Sequence, residues 1–560
     1  MPEFYDHLTD VVVVGSGAAA AVTALAVKDA GLEPIILEST DLFGGSSAIS
    51  GGGLWIPGSH VMQRAGVLDT PEAGSTYLNH VLDHHPAGAG AGEASGRERR
   101  EAFLRGGPEM VAWLEDIGLL WRYGRGYPDS YPHAPGGSVT GRAIEARRYD
   151  LKRLGRWREN LRHTVRGVAF HATDAAAMAT SRRSPRSLLT SAKAIGLHSV
   201  APRLNGRDMV GLGNALMGRL LELLLDRTVS IRLESEVTDL IVREGRVSGV
   251  VVRRNGEAFN VGATHGVMIA SGGFEKSPEL RERFLPLPTS TTWSSGSPGN
   301  TGVPLEAAAR VGARLVNMDS AWWGPTVIHP DGTAGIMNSE RSLPHGIIVA
   351  SDGRRFMNES GPSVDAGRQQ YAKHREEGVS AIPAFHITDS RHRAWYPYGT
   401  FRPGAGTRKM VESGFMVRAD TLEELARATG INPAGLTATV ERFNAFAATG
   451  VDEEFGRGGN AHDRFYSDSR VRPNPTLGRI SRAPFSAVRV YPGDLGTNGG
   501  ILTDQVGRAL AEDGAVIEGL YAAGNAAASV MGATYPGPGA PIAAAMVFGF
   551  LAGRHMSEVE

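Results

Sequence analysis

An α/β fold is predicted by three observations near the start of the chain. Four consecutive valines, Val11 to Val14, read as a strand buried on both faces, as strands of parallel sheets are. A Gly-x-Gly-x-x-Ala turn follows at Gly15, Gly17 and Ala20 and opens an alanine-rich stretch that reads as a helix. A second apolar strand, "EPIILE", ends in Glu38, 23 residues after Gly15. Small residues at such a turn let the backbone and a helix N-terminus approach a pyrophosphate, and the acid is placed to bind a ribose hydroxyl. Strand, turn, helix and acid in register predict a Rossmann-like dinucleotide-binding domain.

The next stretch bears on which dinucleotide is bound. In "DLFGGSSAISGGGLWIPG", Gly44, Gly45, Ser46, Ser47, Ser50, Gly51 and Gly52 make a second small-residue loop directly after the acid. Such a loop can wrap the pyrophosphate and reach a flavin, which an NAD site does not need. FAD is therefore expected, with Ser16, Ala19 and Ser39 beside the first turn and the acid. Later, "SEVTDLIVREGRVSGVVVRRNGEAFNVGATHGVMIASGGF" reads as a run of strands that includes Val237 and closes on Ala270, Ser271 and Gly272. "GLYAAGNAAASVMG" reads as a strand running into a turn at Gly524 and Asn525.

Composition narrows the function classes. Of 560 residues, 58 are Lys or Arg and 59 Asp or Glu, a formal charge of −1, so no global field attracts nucleic acid and none is expected as partner. The absence of cysteine removes disulfides, thiolate nucleophiles, Fe–S clusters and cysteine zinc sites, and no metal is expected. "MPEFYDHLTD" lacks a signal-peptide pattern, and "PIAAAMVFGFLAG" is shorter than the ~20 apolar residues of a membrane span, so a cytoplasmic address is expected.

Seven stretches carry a family resemblance: "FGGSSAISGGGLWIPG", "ASGGFE", "GNTG", "RRFMNES", "GDLGTNGGILTD", "GLYAAGNAAASVMG" and "TYPGPGAPI". Together they resemble the flavoproteins that include fumarate reductases and, more nearly, the 3-ketosteroid Δ1-dehydrogenases. The resemblance implies an FAD domain split in sequence, residues 1–283 and 484–560, around an inserted α+β substrate (cap) domain at 284–483. Proline-rich stretches at "RFLPLPTST" and "RVRPNPTLGRISRAP" agree with those boundaries. Relatives with covalent flavin carry a histidine in the early glycine/serine loop. Leu42 to Gly58 holds none, which implies non-covalent FAD.

The resemblance also implies a chemistry: a C=C bond introduced beside a ring ketone, most nearly of a 3-ketosteroid. One carbon loses a proton and its neighbour a hydride to flavin. In "YPGPG" the Tyr535 hydroxyl and Gly539 N–H would donate to the ketone oxygen, an oxyanion hole for an enolate, with Pro541 and Ile542 against the flavin ring. The family's proton-accepting tyrosine follows NES-x-P, where this chain has Ser363, and its relay tyrosine lies in "PDYY", where this chain has Ser130 followed by Tyr131. Serine ionises far less readily than tyrosine (~10) and cannot inherit the role unaided. Tyr131, His345 and Tyr371 are the candidate bases. Alternatives stay open: another cyclic ketone, a fumarate- or enone-type reductase using Arg341, His345, Arg368 or Arg402, or a steroid-binding flavoprotein without turnover. The electron acceptor, quinone or other, is open as well.

Residues 142–205 read as a basic insert, with 13 Lys/Arg against 4 Asp/Glu from Arg142 to Lys193. Trp157, Leu161 and Val165 fall four apart, as on one helical face among arginines, a pattern suited to an anionic membrane surface at the inner face of the membrane. A basic lobe packed on its own protein is the competing reading. Trp55, Trp293, Trp322, Trp323 and Trp395 could line an apolar cavity or fill the core. "TLEELARATGINPAGLTATVERFNAFAATGVDEEF" reads as two amphipathic helices.

Overall fold

The computed structural model describes residues 4–86, 92–163, 169–399 and 401–558. The valine strand, His7–Val14, lies at the centre of an eight-stranded sheet. It pairs in parallel with Pro34–Leu37 on one side and with Glu257–Ile269 on the other. Ser230–Arg232 and Val516–Ala522 extend the parallel order outward. The hairpin Glu236–Arg243 and Arg246–Arg254 adds antiparallel strands to the first half of Glu257–Ile269. Val11 to Val13 are completely buried, as an apolar run covered on both faces requires.

The helix Ala18–Asp29 starts at Gly17, and its alanines leave room for a close neighbour. That neighbour is the helix Ala540–Glu558. A methyl on Gly549 would lie 2.6 Å from the Ala19 carbonyl oxygen, and one on Gly553 2.9 Å from the Ala26 side chain. Only glycine fits this contact, which ties the C-terminal segment to the first turn of the dinucleotide fold.

The second layer is a six-stranded sheet ordered Ala334–Ile336, Ala321–Ile328, Phe485–Thr497, Ala384–Thr388, Gly346–Val349, with Met416–Ala419 also on Phe485–Thr497. Phe485–Thr497 was expected to reopen the FAD domain at 484. It hydrogen-bonds to Ala321–Ile328 and Ala384–Thr388 within this six-stranded sheet, and the chain returns to the large sheet after it. The two amphipathic helices are Leu422–Thr429 and Pro433–Thr449. Thr421 and Asn432 cap their starts through side-chain oxygens, and Gly430 and Gly450 end them at φ 75° and 84°.

The basic insert does not form the expected helix. Leu151–Arg158 is a kinked 3₁₀ segment, Leu161 is buried and bridges to Phe43, and Val165 lies outside the described residues. Arg142 is 2% exposed and paired with Asp69 and Asp129, a structural cation and not a surface one. The exposed apolar residues sit further on, between Pro185 and Leu204. No helix among the described residues is long and apolar enough to cross a membrane.

Candidate functional site

A cavity of about 520 Å³ runs from the first glycine turn to the Tyr535 loop. That size suits a small-molecule or cofactor site. At one end the wall is backbone. Gly15 has φ 98°, and a methyl there would meet the Ala270 carbonyl oxygen at 2.5 Å. Gly272, at φ 79°, would strike Asn300 in the same way. The Ser271 hydroxyl lines this cradle and is buried without a partner, so the wall holds an unused polar group facing the space.

Glu38 stands at the end of its strand, 6% exposed. Its Oε2 accepts from the Ser16 hydroxyl at 2.6 Å, and its Oε1 from the Thr40 N–H and hydroxyl at 2.9 and 2.8 Å. These bonds fix a carboxylate on the cavity wall where a ribose would lie. A glycine cradle, an unpartnered hydroxyl and an oriented carboxylate fit an adenine dinucleotide.

Of the cofactor residues expected from the sequence, Gly15, Ser16, Gly17, Ala19, Glu38, Ser39, Gly45, Ser46, Ser47, Ser50, Gly51, Gly52, Val237, Ala270, Ser271, Gly272, Gly524, Asn525, Gly539, Pro541 and Ile542 line the cavity. Ala20 and Gly44 do not. Ala20 is fully buried in the helix, and Gly44 stands behind the wall with its N–H bonded to Ser16 Oγ at 2.9 Å. Sequence reasoning did not single out Gly299, Asn300 and Thr301, which also line it. Asn300 Nδ2 reaches Ser46 Oγ at 3.1 Å and Glu275 Oε1 at 2.5 Å, joining the cap side of the cavity to the second loop. The "GNTG" motif was the available signal.

The other end is walled by side chains. The Gly539 N–H donates to the Tyr535 hydroxyl oxygen at 3.3 Å, so the two groups expected to hold a ketone oxygen are neighbours. Burial raises the Tyr535 hydroxyl to about 12, so it stays protonated and can donate. Its ring is edge-on to Trp322, whose Nε1 donates to Asn525 Oδ1 at 3.1 Å. The loop around it is fixed from behind. The Pro536 carbonyl accepts from the Tyr77 hydroxyl at 2.5 Å and the Ser130 N–H at 2.9 Å. A methyl on Gly537 would collide with the Trp55 ring at 2.3 Å, and one on Gly539 with the Gly53 carbonyl oxygen at 2.0 Å. Those collisions explain why one tyrosine sits among glycines and prolines.

The candidate bases are placed elsewhere. The Tyr131 hydroxyl donates to Asp365 Oδ2 at 3.1 Å, its ring lies against His85, and it is absent from the cavity wall. Ser363 starts the helix Ser363–His374 and accepts from Arg341 Nη2 at 2.8 Å, and both it and Ile336 of the wall lie beside Gly324. His345 Nδ1 is engaged with the Arg479 carbonyl at 2.8 Å, and burial lowers its pKa. Tyr371 donates to the Pro288 carbonyl at 3.3 Å and borders a separate shallow pocket with Arg368 and Trp323. Arg341 is buried among carbonyls of Met337 and Glu359. Of the five tryptophans considered, Trp322 alone is on the cavity wall. Tyr127, which sequence reasoning passed over, is on that wall with Glu145 and Asn338.

Comparison with known proteins identifies the family. The family model described as FAD binding domain matches residues 10–542. A 3-oxosteroid 1-dehydrogenase of Mycobacterium tuberculosis is 43% identical over 98% of each chain. A 4-oxocyclohexanecarboxylate 2-dehydrogenase of Sinomonas cyclohexanicum is 35% identical over 97% of this chain and 92% of its own. The crystal structure of 3-ketosteroid Δ1-dehydrogenase from Sterolibacterium denitrificans, in complex with 1,4-androstadiene-3,17-dione, superposes with a TM-score of 0.92 at 37% identity, covering 99% of this chain and 100% of that one.

Proposed function

From the premise that the chain belongs to the FAD-binding family and is an FAD-dependent oxidoreductase, we propose that it introduces a C=C bond beside a ring ketone, with a 3-ketosteroid as substrate. The observation that carries this reading is the adjacency of the Tyr535 hydroxyl and the Gly539 N–H on the wall of the cavity that the dinucleotide cradle also lines. Two neighbouring donors brought to bear on one carbonyl oxygen polarise it and stabilise the enolate formed when an adjacent C–H loses its proton. FAD bound in the cradle supplies the hydride acceptor for the neighbouring carbon. Gly15, Glu38, Ser271 and their neighbours would hold it without a covalent link. Trp322 and Ile336 offer the apolar surface that a fused-ring ketone would cover.

The test is anaerobic titration of the oxidised holoenzyme with androst-4-ene-3,17-dione, following the visible flavin absorbance. Bleaching by the steroid supports the reading. Bleaching by 4-oxocyclohexanecarboxylate alone would move the substrate to small ring ketones, the chemistry named for the Sinomonas relative. No bleaching by either would remove the reading.

A peripheral membrane contact belongs to the same proposal, relocated within the insert. Leu188, Leu197 and Leu204 are 59%, 59% and 84% exposed, and Arg186, Lys193 and Arg203 lie among them. Exposed apolar side chains interspersed in sequence with cations suit an anionic bilayer surface from which a sterol-like substrate could be drawn. Co-sedimentation with anionic vesicles tests it, and pelleting equal to that of a Leu188→Ser/Leu197→Ser variant would refute it.

A further inference from the structure

The substrate end of the cavity contains more hydroxyl chemistry than the oxyanion hole uses. Among the described residues, Tyr127 and Tyr535 are the tyrosines on the wall. Tyr127 comes from the loop before Asp129, and its ring is stacked on Phe465 at 4.1 Å with 4° between planes. Tyr466 stands edge-on to it at 82°. The Tyr127 and Tyr466 hydroxyls influence one another's ionisation, and both feel the charge of Arg341. Tyr535 is coupled electrostatically to the pair.

The charged surroundings are mixed. Burial and Tyr466 disfavour the Tyr127 phenolate, as does Glu145, while Arg341 favours it. Burial raises Tyr466 to about 12 even with Tyr127 and Arg341 opposing, and Glu340 adds to the rise. Arg341 is itself fixed: Met337 and Glu359 carbonyls hold it at 2.8 and 2.6 Å, and it gives a further bond to Ser363. Arg341 is thus a fixed, buried cation whose charge reaches both tyrosines.

We propose that Tyr127, backed by Tyr466, is the base that removes the proton next to the ketone, from a different point on the wall than position 363. This rests on the reading of the site as a ring-ketone dehydrogenase. In the step, the C–H bond beside the carbonyl breaks and its proton forms an O–H bond on the Tyr127 phenolate. The electron pair moves into the carbonyl as an enolate, whose oxygen is held by the Tyr535 hydroxyl and the Gly539 N–H. The phenolate arises when the Tyr127 proton leaves through the half-buried Tyr466 hydroxyl to water. Charge and atoms balance without an oxidant, so this half of the reaction can be observed alone.

The experiment uses holoenzyme with its flavin kept reduced, in D₂O, with androst-4-ene-3,17-dione, and reads deuterium at C2 by mass spectrometry. Wild type should exchange, and Tyr127→Phe should slow exchange by about 10²–10⁴-fold while the visible spectrum of its oxidised holoenzyme, recorded separately, is unchanged. Ser363→Tyr added to Tyr127→Phe should recover exchange, and Tyr131→Phe should exchange as wild type does. Tyr466→Phe should move the alkaline limb of the exchange profile, a readout that survives if Tyr127→Phe fails to fold. Wild-type exchange in Tyr127→Phe, or an unmoved profile in Tyr466→Phe, overturns the assignment. Absence of exchange in wild type, together with absence of flavin bleaching, removes the dehydrogenase reading and this assignment with it.

Discussion

At its dinucleotide end the cavity is walled by backbone, at Gly15, Gly45, Gly52 and Gly272, whereas at its ketone end it is walled by side chains, at Tyr127, Trp322, Ile336 and Tyr535. The first wall is tight because a carbon added at Gly15 would strike the Ala270 carbonyl, at Gly52 the Leu212 backbone and at Gly272 the Asn300 side chain. The second is held by a shell of polar contacts further out, from Tyr77 to Pro536 and from Arg341 to Glu359. Binding a long, constant cofactor asks for shape, while polarising one carbonyl asks for a few donors kept in place. Changes at the two ends should therefore fail in separable ways.

The largest expected effect is on the outer shell of the ketone end. Arg355 pairs with Glu359 and Asp452 in the cap, where all three side chains are fully buried. Arg355→Met leaves two buried carboxylates short of a partner and should cost about 3–5 kcal/mol, read as a lower Tm with FAD affinity retained. Burial works to raise Glu359 and Asp452, but Arg355, with Arg457 at Glu359, overcomes it and holds both below their usual range. Their contribution is present above the unfolded carboxylate range and is lost as pH falls through the folded values. Wild-type Tm should accordingly drop on acidification more steeply than that of the variant.

Next is Tyr535→Phe, which removes one donor from the hole. Turnover should fall by about 10²–10³-fold, or ~2.7–4 kcal/mol, with an unchanged flavin spectrum. Stopped-flow flavin bleaching measures it, and wild-type rates would separate Tyr535 from the chemistry. At the other end, Glu38→Gln should weaken FAD by ~1.5–3 kcal/mol through loss of a charged hydrogen-bond acceptor, visible by isothermal titration of apoprotein, while the reconstituted enzyme turns over normally. The smallest effect is a slope. Burial, then the Asp494 charge, raises Glu275 from 4.5 to about 7. The folded state thus binds more protons between those values, and stability should fall as pH rises from 4.5 to 7. Glu275→Gln should flatten that slope in a series of thermal melts.

The same contrast explains what could be read from the sequence. A wall of backbone needs glycines at fixed spacing, and Gly15, Gly17, Gly51 and Gly272 announce it locally. Tyr535 was legible because Gly537 and Gly539 surround it for steric reasons that leave a motif. Tyr127 was not, because its role depends on Phe465, Tyr466 and Arg341, more than 200 residues away in the chain. Tyr131 misled for the converse reason. Adjacency to Ser130 suggested a small backbone shift, but the Ser130 N–H is committed to Pro536, and Tyr131 turns toward Asp365. The insert shows the same limit. Four-residue spacing at Trp157 and Leu161 resembled a helix face, yet Gly155 at φ 54° breaks the segment and Leu161 joins Phe43.

The bond between the Gly539 N–H and the Tyr535 oxygen has a consequence for selection among substrates. At rest the Gly539 N–H is already committed to the Tyr535 oxygen, so an arriving acceptor does not meet two idle donors. It must out-compete an internal contact, and its gain on entry is the difference between two new bonds and the one given up. Weak acceptors such as ether or ester oxygens gain little from that exchange. A conjugated ketone gains more, and an oxygen acquiring full negative charge gains most. The loop thus acts as a threshold, discriminating by the electron density on a single atom before the shape of the ring system is consulted.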